Sequence, residues 1–240
     1  MAIKKKQYLP ITSSYKYMKF WFEKYKSRAF FSVNRNFYVS LRLLLNKKSR
    51  EVNYKELFRR IGLLISDPDK AWKELSKDVD KRIVQIGFVY PLIGFCGIST
   101  LIGSLWSDTS GMVVFQTAMM KCGGIFISLF AGFFLATYLV QLVNKRLLNR
   151  EFSEDMVQQF VGYSMVVSFL LIFVNGLFNI SFLYWLLMFY TIYVVYNGAK
   201  ILLGVQEDKI TVYSLVVSLI VTCCPIFISF IFNKLSLVLN

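Results

Sequence analysis

From Ile83 onward the chain alternates long apolar runs with short polar breaks, and the first run, Ile83 to Trp106, contains no charged side chain. A helix that crosses a bilayer needs roughly 20 apolar residues at about 1.5 Å each, so this run is long enough to span. Four more follow, at about 122–143, 161–178, 182–203 and 211–232. Asn179 and Ser181 leave space only for a tight turn between the third and fourth. Pro225 is expected to bend the outer half of the fifth, because proline has no N–H to donate inside a helix.

Upstream of the first run the pattern becomes amphipathic. Tyr54, Leu57, Phe58, Ile61, Leu64 and Ile65 share one helical face, with Lys55, Glu56, Arg59 and Arg60 opposite, which predicts a helix lying in the membrane interface. Ser66, Asp67 and Pro68 then end it and start another, since a side-chain oxygen caps free amides and proline fits the first turn. This second short helix carries Ala71, Trp72, Leu75 and Val79 on one side and Lys70, Lys73, Glu74 and Asp78 on a solvated side. The expected fold is all-α: a polytopic membrane protein of five transmembrane helices behind an amphipathic N-terminal cytoplasmic segment. Its divisions are a basic arm at 1–52, amphipathic helices at 53–82 and the five-span domain at 83–234.

Composition agrees. A chain of 240 residues that is 56% hydrophobic, with a mean hydropathy of +0.52, has more apolar surface than one soluble core hides. The formal charge of +14 is concentrated in the first fifty residues, where Glu23 is the only acid. Beside a membrane anchor, that charge points to anionic lipid headgroups, worth about 1 kcal/mol per basic residue near the surface, rather than to nucleic acid. The arm itself has two readings: a basic segment on the inner leaflet, or sequence ahead of a true start near Val52.

Charge also orients the spans. Lys81 and Arg82 precede the first, and Lys145, Arg146 and Arg150 follow the second, while outer segments hold only Lys121 and Lys234. The positive-inside rule then puts the N-terminus in the cytoplasm and the C-terminus outside a bacterial cytoplasmic membrane. Lys121 reads as a snorkelling anchor, and Tyr184, Trp185 and Tyr196 as aromatic belts.

Candidate chemistry is sparse. The chain has no histidine, and no Asp or Glu lies within a span, which removes His-dependent mechanisms and intramembrane carboxylate pairs. Cys96, Cys122, Cys223 and Cys224 lack metal-ligand spacing, and Glu151, Glu154, Asp155, Glu207 and Asp208 read as solvated loop charges. No catalytic, metal or cofactor residue is assigned, and no enzyme is expected.

What the spans do contain is small residues at helical spacing. Gly124, Ser128, Gly132 and Ala136 recur every four residues, so they form one groove on the second span. Cys96, Thr100 and Ser104 make a similar stripe in the first span, and Ser214, Ser218 and Thr222 in the fifth. Such a groove packs a neighbouring helix inside the bundle or, if exposed, joins a second copy or another membrane protein. Phe133 and Phe134 are expected on the opposite or flanking faces, towards lipid. Tyr190, Tyr193 and Asn197 fall on one face of the fourth span with Asn175 across the turn, an intramembrane polar cluster that either hydrogen-bonds internally or lines a small cavity.

The residues Ile65, Pro68, Ala71 and Trp72 before the membrane, Gly162, Tyr163 and Ser164 opening the third span, and Tyr193, Gly198 and Leu203 before an acidic inner loop resemble bacterial members of the Yip family. The likeness covers about Asn53 to Lys234. Eukaryotic members are linked with Rab-type GTPases and vesicle traffic, and bacterial members have no agreed activity. Relatives often carry a proline after the third-span tyrosine, where this chain has Met165, Val166 and Val167, and the eukaryotic Asp-Leu-Tyr-Gly-Pro motif is absent. The resemblance therefore implies a non-enzymatic membrane-organising scaffold without Rab binding; a small transporter or channel is the alternative.

Overall fold

The computed structural model describes residues 53–77, 84–106, 111–178 and 181–239. The basic arm lies outside the described residues, as do Val79, Lys81, Arg82 and Asn179. Every described element is a helix: α1 (Tyr54–Ser66), α2 (Pro68–Leu75), α3 (Gln85–Trp106), α4 (Gly111–Val143), α5 (Glu154–Ser164), α6 (Val166–Phe178), α7 (Ser181–Ile201) and α8 (Glu207–Leu239). The first turn of α3, Gln85–Val89, is π-helical, and a second π-helical turn, Asn144–Leu148, prolongs α4.

Local chemistry sets the helix boundaries. Asn53 caps α1 by accepting from the Glu56 N–H at 3.2 Å, and Asp67 caps α2 by accepting from Lys70 at 3.1 Å, with Pro68 in the first turn. Ser153 does the same for α5, accepting from Met156 at 3.3 Å. Asn149 ends the π-helical turn at φ 51°, a left-handed conformation that asparagine tolerates better than most residues.

Four stretches among the described residues are long and apolar enough to cross a membrane: Gln85–Trp106, Val114–Leu148, Glu154–Phe178 and Glu207–Leu235. Their outward faces carry large exposed apolar side chains, among them Ile98 and Ile102 on α3, Ile127 on α4, and Leu215, Leu219 and Phe227 on α8. Bands of this kind are stable against lipid and not against water. The chain is a multi-pass α-helical membrane protein.

α4, the α5–α6 column and α8 exceed the apolar runs that announce them. Hydropathy marks only the portion suited to hydrocarbon, whereas a helix continues through charged residues until something caps it, so α4 runs on past Lys145 and α8 starts at Glu207. The third run is also not a single element. Its helix starts at Glu154 and changes register at Met165, whose ψ of −2° departs from the helical value near −42°. The Met165 N–H still bonds to the Val161 carbonyl, and the Met165 carbonyl accepts from Phe169, so α5 and α6 remain one column.

Small residues lie where helices cross. A Cβ on Gly103 of α3 would overlap the Gly176 carbonyl of α6, and one on Gly176 would lie 2.9 Å from the Thr100 amide nitrogen. On α4, a Cβ on Gly132 would stand 2.8 Å from the Pro225 Cα of α8, and one on Gly124 would be 2.9 Å from the Phe232 ring. α8 remains helical through Pro225, and Gly132 leaves room for the proline ring. Phe133 and Phe134 do not flank lipid as expected. Both are buried, because the α4 face beside the glycine groove packs against other helices rather than against the bilayer.

Candidate functional site

The segment ahead of the spans does not simply float in an interface. Leu57, Ile61 and Leu64 of α1 and Ala71, Trp72 and Leu75 of α2 join the same buried cluster as Phe88, Phe160 and Tyr163 of the bundle. Trp72 is the key of this joint. Its side chain is fully buried, and its indole Nε1 donates to the Val194 carbonyl at 2.9 Å, which satisfies the polar end of a large apolar ring. Its ring meets Tyr163 edge-on at 6.0 Å and Phe160 at 5.8 Å.

Glycines make room for that ring. A Cβ on Gly198 of α7 would sit 2.7 Å from the Trp72 indole and 2.8 Å from the Phe160 ring. A Cβ on Gly162 would sit 2.6 Å from Val84 and 3.0 Å from Val89, where α5 crosses the start of α3. Several of the scattered residues that suggested a family are thus brought together in space. Ala71, Trp72, Tyr163 and Gly198 meet at one joint, Pro68 is buried in the first turn of α2, and Ile65 contributes a carbonyl that accepts from the Tyr190 hydroxyl at 2.6 Å.

Electrostatics hold the outer side of the joint. Arg59 donates to both Glu56 and Glu74 and so ties α1 to α2, and Arg60 Nε donates to Glu56 at 2.6 Å. Arg60 Nη1 also donates to the Tyr163 hydroxyl at 2.5 Å and so carries the network into the bundle. The Arg59 hydrogen bond, supported by Arg60, holds the Glu56 carboxyl down at about 2, and Arg59 likewise lowers Glu74. Burial works against the charge on Arg60, yet Tyr163 and Glu56 keep it above the ordinary value. Two cations and two anions are matched at the rim of an apolar core, where an unmatched charge is costly.

Buried amides complete the joint. Gln159 Nε2 donates to the Leu75 carbonyl at 2.6 Å, Gln85 Nε2 donates to Gln158 Oε1 at 2.5 Å, and the Tyr213 hydroxyl donates to Asn144 Oδ1 at 2.6 Å. The sequence reading did not single these out. Their signal is an amide side chain within or beside an apolar run, which must find a partner once buried.

The polar cluster expected across the third and fourth spans is divided. Tyr190 reaches Ile65, its ring lies 5.7 Å from that of Tyr193, and Asn197 Nδ2 donates to the Tyr193 carbonyl at 2.9 Å. Asn175, by contrast, is exposed at the far end of α6, where it lines a cavity with Thr100 and Lys121. Tyr190 on α7 thus points to α1 rather than across the turn to Asn175. In the small-residue groove, Gly124 and Gly132 face α8, Ala136 is fully buried, and Ser128 donates to the Gly124 carbonyl at 2.6 Å. In the stripe of the first span, Cys96 Sγ lies 3.1 Å from the Phe169 carbonyl of α6, and Thr100 donates to the Cys96 carbonyl. The described residues hold no group of three or more His, Cys, Asp or Glu side chains placed to bind a metal ion. What the arrangement does is mechanical: it fixes two short charged helices onto a membrane bundle.

Comparison with curated proteins and with solved structures gave no match. The Yip1 domain matches residues 61–229, from within α1 to within α8 and across every element of the joint, and the chain belongs to the Yip1 domain family of membrane proteins.

Proposed function

We propose that this protein is a non-enzymatic, membrane-organising scaffold that presents α1 and α2 as a rigid platform at the cytoplasmic face of a bacterial inner membrane. The observation that carries this reading is the Trp72 joint. It spends a buried tryptophan, two glycines and a four-membered charge network on fixing helices that contribute no span. Lys55, Arg59, Lys70, Lys73 and Lys77 remain exposed on the platform, a surface suited to a protein partner or to anionic lipid.

We read α7 as a fifth crossing, which agrees with this orientation. α6 ends at Phe178 and α7 begins at Ser181, while Lys200 near the end of α7 pairs with Glu207 at the start of α8, at 3.0 Å. Arg150, just past α4, donates to the Gly204 carbonyl between α7 and α8. α7 therefore returns to the end of the bundle at which α5 starts, and its 21 residues, about 31 Å, are enough to cross. With the N-terminus in the cytoplasm, the C-terminus lies outside, in keeping with the cationic loops.

A transporter or channel requires a hydrated path. The base of the bundle is filled by Phe88, Phe133, Phe160 and Tyr163, each fully buried, which favours the scaffold. Proteoliposomes loaded with a mixture of ions and small metabolites should show no flux above that of empty liposomes. Saturable flux that is lost on unfolding the protein would replace the scaffold with a transporter.

A further inference from the structure

α1 touches the spans far from their cytoplasmic ends. Near its start, Tyr54 and Phe58 rest on Phe95 of α3, with ring centroids 6.3 and 6.0 Å away. Near its end, the Ile65 carbonyl accepts from Tyr190 of α7. From Phe95 to the outer end of α3 at Trp106 is eleven residues, about 17 Å, and from Tyr190 to the outer end of α7 at Ser181 is nine, about 14 Å. The two heights nearly agree, so α1 lies close to parallel with the membrane plane, and any tilt of α3 or α7 shortens both.

The α4 and α8 side of the bundle is about twice as tall. α4 has 23 uncharged residues between Lys121 and Lys145, about 35 Å, and α8 has 24 between Lys209 and Lys234, about 36 Å. At the outer end the sides are level, since Trp106, Lys121, Asn175 and Phe178 line one cavity of about 460 Å³. The difference therefore arises on the cytoplasmic side, where α1 and α2 sit.

Charge fixes how deep hydrocarbon can reach there. Tyr54, Phe58 and Ile65 form one exposed stripe of α1, continuous in character with exposed Ile98 and Ile102 on α3 and Phe189 on α7. Lys55 and Arg59 form the next stripe, and Lys70, Lys73 and Glu74 are exposed on α2, which covers α7 from Val194 to Gly198. Exposed charges are costly in hydrocarbon, so its lower boundary on this side is α1 itself. A bilayer of ordinary thickness, about 30 Å, would need Lys55 and Arg59 near its middle or the α6–α7 turn stopped short of the outer surface.

We infer that α1 is the floor of a locally thinned bilayer: inner-leaflet lipids are drawn in to α1, and the hydrocarbon beside α3, α6 and α7 is about 14–17 Å thick, roughly half the ordinary value. Lipid phosphates lie at the level of Lys55, and acyl chains meet Tyr54, Phe58 and Ile65. This surface is a lipid contact whatever partner the platform has. It rests on the reading in which α6 and α7 both cross.

The test is labelling of single added cysteines by a membrane-impermeant maleimide, on the full chain in sealed vesicles of either orientation, with wild type as the background. Lys55→Cys and Lys73→Cys should label from the cytoplasmic side only, and Asn175→Cys and Phe178→Cys from the outer side only, each several-fold above background. Ile98→Cys, between the two surfaces, should label from neither side, and so should Ile127→Cys on α4 and Leu219→Cys on α8. If Asn175→Cys and Phe178→Cys label from neither side, the turn ends inside a bilayer of ordinary thickness and the inference fails. It fails equally if Lys55→Cys labels from neither side, which would sink α1 into hydrocarbon, or if Ile98→Cys labels, which would leave no hydrocarbon on that side. Labelling of Phe178→Cys from the cytoplasm would instead overturn the five-crossing reading, and the thinning with it. All of these positions are exposed, and Lys73→Cys and Asn175→Cys decide alone if a companion variant does not fold.

Discussion

Gly132 tests the packing of the bundle most sharply, because the obstacle it faces is backbone. A Cβ there would lie 2.8 Å from the Pro225 Cα, 2.9 Å from its nitrogen and 3.0 Å from its ring Cγ, and none of these can rotate away. Gly123, nine residues earlier on the same helix, has no heavy atom within 4 Å of its Cβ position. Gly132→Ala and Gly123→Ala each gain about 1 kcal/mol from replacing glycine inside a helix, so the difference between them isolates the collision. Overpacking costs about 1–3 kcal/mol, and at roughly 2–4 °C per kcal/mol for a chain of this size the two variants should melt about 2–12 °C apart, with Gly132→Ala the lower. Thermal unfolding in a mild detergent, followed by tryptophan fluorescence, measures this directly, and Gly132→Leu should fall further still. If the two alanine variants melt together, α4 and α8 do not approach as described, and the groove carries no packing.

The same logic makes Gly103→Ala destabilising by about 1–3 kcal/mol, since its Cβ would meet the Gly176 carbonyl, whereas Gly94→Ala, with open space around it, should be neutral or better in the same melt. Trp72→Ala should cost about 3–5 kcal/mol and should expose α1 and α2 to limited proteolysis before the spans unfold. Glu56 is held below its ordinary value, so the stability it adds is fully present above about pH 4.5 and is lost as the pH falls towards about 2. Protection of the α1 amides, taken relative to the intrinsic exchange rate at each pH, should fall through that window, and Glu56→Gln should flatten the dependence. Deleting residues 1–52 should leave the melting temperature of the remainder nearly unchanged, since their sequence contains no uncharged run long enough to cross a bilayer.

Much of this architecture was legible because a bilayer imposes one simple demand: an apolar run long enough to cross. Most of the run Ile83–Trp106 is the apolar helix α3, and the Asp67–Pro68 pair is the cap and first turn that their chemistry implies. Helix ends were less legible where charged residues follow apolar ones, as at Lys145 and Glu207, since either kind of residue continues a helix. The burial of Phe133 and Phe134 was hidden for a related reason. Lipid and protein are equally apolar neighbours, so hydrophobicity along α4 does not say which face meets which. Gly132 and Gly124 were visible as a stripe, but the Gly103–Gly176 crossing was not, because it joins two helices with one glycine each. At the base, Trp72, Gly162 and Gly198 could each be seen as part of a likeness, but that they serve one joint required the fold.

The central claim is that five helices cross the membrane, with the platform inside and the C-terminus outside. Reporter fusions that are active on only one side of the membrane, placed after Lys145, Gln206 and Asn240 and read in cells, test it most directly. The account predicts that the first two report the cytoplasm and the third the outside. A fusion after Asn240 that reports the cytoplasm would mean that α7 or α8 does not cross, and it would contradict the platform's place in the scheme.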